Sequence, residues 1–227
     1  MAKKKVTKTK LEKLLLKYLE NGQVIAIGTS DLGEKLLRKL SIEIGKKNLD
    51  VSIVPTSFRF TALLHDFKLP RANINEHEID VAVQFADCVD KQFNFVKKNS
   101  SSLVRDKMIA MSALELITVV EENQYVNRLE RWIPMEVVEF GLRKSIIHLD
   151  NLGKAMLRLD EGKPVKTETG NYLVDVLVDK IYSLDDIEIE SKRIPGVIET
   201  GLFLGYADRI ILRKDHEFKV KSRIQGE

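Results

Sequence analysis

The sequence predicts an α/β fold: a doubly wound, mostly parallel sheet of the Rossmann-like kind, carrying a small α+β insert. Three observations predict it. Short apolar runs recur at Val24–Ile27, Val51–Val54, Ile79–Phe85 and Leu116–Val120, as strands buried on both faces require. Segments with helical spacing lie between them, giving successive strand–helix repeats in the first half of the chain. Past residue 130 that alternation stops, and candidate strands sit around glycine-bearing turns instead.

In chain order, Leu11–Leu19 places apolar residues at 11, 14, 15, 16 and 19, a helical face. Asn21-Gly22 stops it, since both residues tolerate the left-handed conformation of a helix exit. The first strand, Val24–Ile27, turns at Gly28-Thr29-Ser30 into a helix over Asp31–Ile44 that Gly45 closes. Val51–Val54 leads through Pro55-Thr56-Ser57 to a helix over Phe58–Asp66. Ile79–Phe85 is the third strand, and a helix over Leu103–Glu115 precedes the fourth, Leu116–Val120. Residues 1–129 and 206–227 thus form the α/β domain, and 130–205 the insert. Within the insert, an apolar run starts at Pro134 and reaches Phe140, and a helix continues to Leu149. Met156–Leu159, Tyr172–Val178 and Arg193–Val197 are its further candidate strands. Arg209–Leu212 and Glu217–Val220 return to the first sheet.

Composition excludes several classes. With 44% hydrophobic and 31% charged residues the chain is neither low-complexity nor broadly disordered. A single cysteine, Cys88, rules out an intramolecular disulfide framework and is expected to be a buried filler. Histidines 65, 77, 148 and 216 lack metal-ligand spacing, so no metal site is expected. A net charge of +3 from 37 basic and 34 acidic residues makes no demand for nucleic acid. No apolar run is long enough to span a membrane. The basic Lys3–Lys5 cluster leads into a helical pattern rather than a signal-peptide core, which predicts a cytoplasmic protein.

Ligands of such sheets bind beyond the carboxyl ends of the strands. Gly28-Thr29-Ser30 lies at one such end, where helix amides receive phosphates. Asp31 followed by Glu34 also resembles a capping box, which would fill those amides with a carboxylate. Both readings stand at this stage. Asp87 and Asp90 follow the third strand. Lys97 and the polar tract Asn99-Ser100-Ser101-Ser102 then lead into the helix bearing Arg105-Asp106-Lys107. Ser101 or Ser102 would cap that helix. Carboxylates at 87 and 106 with a lysine at 97 also suit proton transfer on a sugar phosphate, because a carboxylate moves the proton and a lysine stabilises developing oxyanion charge. The lone Trp132 is expected to pack.

These residues resemble the type A ribose-5-phosphate isomerase family along almost the whole chain. The most specific match is Ile194-Pro195-Gly196-Val197-Ile198-Glu199-Thr200-Gly201-Leu202-Phe203, with Ala207-Asp208-Arg209 after it. Thr169-Gly170-Asn171-Tyr172-Leu173-Val174-Asp175, Ile133-Pro134-Met135-Glu136-Val137-Val138, Thr56-Ser57 and Arg105-Asp106-Lys107-Met108-Ile109-Ala110 also match. The resemblance implies the fold predicted above, a homodimer or homotetramer, no cofactor, and interconversion of ribose 5-phosphate and ribulose 5-phosphate in the non-oxidative pentose phosphate pathway. It implies Asp106 as the base acting through an enediolate, Lys97 as the oxyanion partner, and Asp87 with Gln84 on the sugar hydroxyls. Thr29, Ser30, Ser100 and Ser101 would surround the phosphate, and an N-terminal lysine of the pattern falls at Lys8.

The catalytic motifs depart from that pattern. Gly-Thr-Gly-Ser-Thr is here Gly28-Thr29-Ser30-Asp31-Leu32, and Asp-Gly-Ala-Asp-Glu-Val-Asp is here Gln84-Phe85-Ala86-Asp87-Cys88-Val89-Asp90. Lys-Gly-Gly-Gly-Gly is Lys97-Lys98-Asn99-Ser100-Ser101, the basic glutamate is Asp106, and a further lysine is Gln124. Shortening the base by one methylene withdraws it by roughly 1 Å, a misplacement that costs about 10²-fold unless the backbone compensates. An impaired member that binds a sugar phosphate as a sensor or partner subunit is therefore the alternative, and a scaffold closed by Asp31 and Phe85 is a third.

Overall fold

Parallel pairing of the apolar runs builds the frame of the computed structural model, which describes residues 10–215 and 217–223. Lys3–Lys5, Lys8 and His216 lie outside the described residues. In the first half, α1 (Leu11–Leu15), β1 (Gln23–Ile27), α2 (Asp31–Lys47), β2 (Val51–Val54), α3 (Phe58–Asp66) and β3 (Ile79–Phe85) follow one another. Next come the short β4 (Cys88–Asp90) and β5 (Phe95–Val96), then α4 (Leu103–Ser112), β6 (Ala113–Glu121) and β7 (Tyr125–Val126). The second half holds β8 (Trp132–Val137), α5 (Leu142–Leu149), β9 (Gly153–Leu157), β10 (Leu159–Asp160), β11 (Lys163–Pro164) and β12 (Tyr172–Val178). It ends with α6 (Leu184–Arg193), β13 (Val197–Thr200), β14 (Leu202–Phe203), β15 (Arg209–Lys214) and β16 (Glu217–Ser222).

The main sheet has the order β16-β15-β6-β3-β1-β2, parallel except for the antiparallel edge strand β16. Alternation along each strand sends Ile25 and Ile27 into the layer under α1, α2 and α3, and Ala26 into the layer shared with α4. Helices therefore cover both faces, as expected. A four-stranded sheet, β13-β8-β12-β9, packs its own apolar layer with α5 and α6. Another small sheet, β14-β5-β4-β7, links the two. Among the described residues no helix is long and apolar enough to cross a membrane.

Several boundaries differ from expectation. The first helix ends at Leu15 rather than Leu19, because the amides of Lys17 and Tyr18 bond three residues back and tighten the chain into a turn. Leu16 and Leu19 stay buried outside the helix. The helix after β1 runs past Gly45 to Lys47, and Asn48 at φ 50° provides the left-handed exit. The helix at 103 stops at Ser112, not Glu115, since Ala113 is already paired with Ile79 of β3. Sheet pairing outweighs local helix propensity there. Arg193–Val197 is not a strand. It is the exit of α6, whose Ser183–Asp186 capping box was present in the sequence, and the strand follows at Val197–Thr200.

Candidate active site

The loops after β1 and before α4 meet at the carboxyl edge of the main sheet. Thr29, Ser30, Asp31, Asn99, Ser100 and Ser101 line a hollow of about 370 Å³ there. The cap of α2 is Ser30, not Asp31. Its extended backbone lets Oγ accept the Gly33 amide at 2.9 Å, while Asp31 opens the helix with its side chain in solvent. Ser30 thus acts as the cap itself rather than donating from outside it. Thr29 Oγ1 lies 2.7 Å from Ser57 Oγ and 2.8 Å from Thr56 Oγ1, and Thr56 donates to the Ile27 carbonyl at 2.8 Å. These hydroxyls lock the β1 turn to the N-terminus of α3.

Beside the hollow lies a buried polar cluster. Lys97 is 1% exposed and Asp106 3%. Lys97 Nζ stands 2.6 Å from Asp106 Oδ2 and donates to Gln84 Oε1 at 2.6 Å. Ser100 Oγ donates to the same Asp106 oxygen at 2.5 Å, and Gln84 Nε2 reaches Asp106 Oδ1 at 3.5 Å. A proton acceptor, a cation and two hydrogen-bonding groups therefore occupy one point, which is the equipment for moving a proton next to a developing oxyanion. Gly28 makes the room: a Cβ there would come within 2.6 Å of Gln84 Oε1. Gln84 comes from β3, Lys97 from the residue after β5, Ser100 from the loop and Asp106 from the first turn of α4, which Ser102 caps.

Asp87 stands apart from this cluster. Its carboxylate accepts the Lys98 amide at 2.5 Å and faces Asn99 Nδ2 at 3.4 Å, so it shapes the loop before the hollow. Ser101 is tied through its carbonyl to the Glu168 amide at 2.8 Å. Phe85 does not line the hollow; its ring packs where a Cβ on Gly33 would touch it at 3.0 Å. Cys88 is buried as expected. Burial, with the Glu130 carboxylate beside it, pushes its thiol up to about 11, outweighing the backbone hydrogen bonds at Glu130 and Val96 that lower it. Trp132 lies in β8 and is partly buried.

Three groups that residue types alone did not single out complete the setting. Glu136, fully buried in β8, accepts the Val104 amide at 3.1 Å, Ser102 Oγ at 3.3 Å, Thr167 Oγ1 at 2.8 Å and Asn171 Nδ2 at 2.9 Å, with Thr169 as a further donor. Burial pushes its carboxyl up, but the bonds from Asn171, Thr169, Thr167 and the Val104 amide outweigh that and hold it below the usual range. Glu168 joins the small sheet's loop to the rim through Arg105 Nη1 at 2.6 Å and the Phe58 amide at 2.9 Å. Lys107 binds Glu188, Glu199 and the Leu202 carbonyl at 3.1, 3.0 and 2.6 Å. Apart from its place in a family motif, the signal for Glu136 in the sequence was an acid amid apolar neighbours, Pro134-Met135-Glu136-Val137. Its partners come from about thirty residues away in either direction.

The family model for ribose 5-phosphate isomerase A (phosphoriboisomerase A) matches residues 52–217. The chain belongs to this family. Ribose-5-phosphate isomerase A of Methanothermobacter thermautotrophicus is 31% identical over 206 residues, covering 89% of this chain and 91% of that protein. The Methanocaldococcus jannaschii protein of the same name is 32% identical over 202 residues, covering 86% and 89%. The solved ribose 5-phosphate isomerase A from M. jannaschii superposes with a TM-score of 0.86 at 29% identity, over 95% of this chain and 98% of that one. A solved D-ribose-5-phosphate isomerase in complex with phospho-erythronic acid also has a TM-score of 0.86, at 32% identity, over 93% and 96%.

Proposed function

We propose that this family member interconverts ribose 5-phosphate and ribulose 5-phosphate, with Asp106 carrying the proton. The observation that supports it is the convergence of Asp106, Lys97, Ser100 and Gln84 on one point beside a hollow at the carboxyl edge of the sheet. Asp106 takes the C2 proton of the open-chain aldose and returns it to C1. The hydroxyl proton passes from O2 to O1, so atoms balance with no group lost. Lys97 holds the charge that gathers on the enediolate oxygen, and Gln84 keeps Lys97 and Asp106 in register. The phosphate belongs in the hollow, near Ser30, Ser100 and Ser101; that a solved relative forms a complex with phospho-erythronic acid supports an anionic, phosphorylated ligand for this family member. Asp87, fixed on the Lys98 amide, acts on the sugar hydroxyls as the ring opens, and Lys8 adds its charge to the phosphate. Residues 130–205 act as a separate small domain that braces α4 through Glu136, and the protein assembles as a homodimer or homotetramer.

The experiment is turnover of ribose 5-phosphate by the purified chain in deuterium oxide. Ketose formation and deuterium at C1 are expected from the native protein and neither from Asp106→Asn. Equal rates for the two would remove Asp106 from the role. One observation favours a second reading, a binding protein without turnover: both Asp106 oxygens are engaged by neighbouring side chains and the carboxylate is 3% exposed. Thermal stabilisation by ribose 5-phosphate with no ketose formed would select it.

A further inference from the structure

A larger hollow, of about 870 Å³, lies at the same edge of the sheet but shares no lining residue with the catalytic one. It is bounded by the start of α1, the first turns of α2, residues 213–215 at the end of β15, and Glu217 and Phe218 at the start of β16. Its size is within the range of about 300–1,000 Å³ typical of small-molecule sites. Glu12 lines it. That side chain is 6% exposed, and among the described residues no hydrogen bond or ion pair reaches it. The hollow is the space from which a donor to that carboxylate can come. Lys10, Lys35 and Lys39 line the same space with no acidic partner among the described residues. Apolar surface comes from Leu11, Leu32 and Phe218.

We propose that this hollow is a second binding site, for a nucleoside polyphosphate. The wall has mixed sign, since Asp215 and Glu217 also line it. A bare polyanion meets those carboxylates unpaired and leaves Glu12 without a donor. A simple sugar phosphate leaves the apolar surface bare and fills a small part of the volume. A nucleoside polyphosphate answers each feature: phosphates for the lysines, a ribose hydroxyl or exocyclic amine for Glu12, and a flat apolar base for the leucine and phenylalanine surface. Its location beyond the end of β15 is also where ligands of open parallel sheets bind.

The test is calorimetric titration of the native protein with ATP, adenosine and inorganic tripolyphosphate, each with and without saturating ribose 5-phosphate. ATP is expected to bind more tightly than tripolyphosphate and to stay bound in the presence of the sugar phosphate. K35E/K39E, two solvent-facing changes whose fold is checked by melting, should weaken ATP at least about tenfold, because two charge-assisted contacts are lost. Glu12→Gln should narrow the advantage of ATP over tripolyphosphate while tripolyphosphate itself binds no worse. No ATP binding, displacement by ribose 5-phosphate, an unchanged affinity in K35E/K39E, or tripolyphosphate binding as tightly as ATP would each overturn the proposal. The readout is independent of turnover, so it stands or falls apart from the isomerase reading.

Discussion

Replacing Asp106 by asparagine removes charge from a pair that water barely reaches. At 2.6 Å and an effective dielectric of about 20, the Lys97–Asp106 attraction is on the order of 6 kcal/mol. Desolvation costs several kcal/mol per ion, so the intact pair contributes little net stability. Removing one partner is different, because it strands a buried cation and costs about 3–5 kcal/mol. For a chain of this size that lowers Tm by roughly 6–20 °C. Asp106→Asn should therefore lose about 10²–10⁴-fold in rate and melt well below the native protein. The double variant K97M/D106N removes both charges, and the introduced carboxamide oxygen can still accept from Gln84 Nε2, as Asp106 Oδ1 does. It should regain most of the lost Tm and none of the lost rate. Circular dichroism melts and ketose formation followed by proton NMR measure the two quantities on the same samples. If the double variant melts as low as Asp106→Asn, the stranded-charge account is wrong. If it turns over at near-native rate, the cluster is not the catalytic one.

Gly28→Ala should push Gln84 off Lys97, because the new Cβ would lie 2.6 Å from its Oε1 and 3.2 Å from the Val83 carbonyl. The expected cost is about 1–3 kcal/mol of stability together with a lower kcat, read by melting and steady-state kinetics. Glu136→Gln should flatten the acid limb of the stability curve. The native carboxyl is held below the usual glutamate range, so the unfolded state binds the proton more readily. The stability it contributes is present above the ordinary glutamate value of about 4.3 and is lost as pH falls through the lowered one. Urea midpoints of both proteins between pH 3 and pH 6 (roughly) should converge at the acid end and separate above it. Cys88, with its thiol at about 11, should resist iodoacetamide at pH 8 (roughly) in the native protein and react once urea unfolds it; labelling of the folded chain would show that the β4 layer is open.

The fold was legible because it rests on local patterning. The runs at Val24–Ile27, Val51–Val54 and Ile79–Phe85 and the helix over Phe58–Asp66 emerge within a residue of where the sequence puts them, since burial on both faces leaves an unbroken apolar mark. The convergence of the β1 turn with the serine tract was also readable, as both sit at strand or helix ends of a parallel sheet. Elements made by pairing rather than by pattern were not. The strands β4, β5, β7 and β14 are two or three residues long, too short for any period to register.

Residue chemistry alone determined the class of fold, the absence of a cysteine framework, and which loops could carry polar groups to the sheet edge. Only the folded chain decided how those groups are used. It gave the α2 cap to Ser30 rather than to its acidic neighbour, and set Asp87 on a loop amide instead of beside Asp106. It also closed Lys97, Asp106 and Gln84 into one buried unit. The physical reason is that caps and ion pairs are settled by angstrom-scale reach between segments far apart in the chain, and linear order carries no measure of that distance.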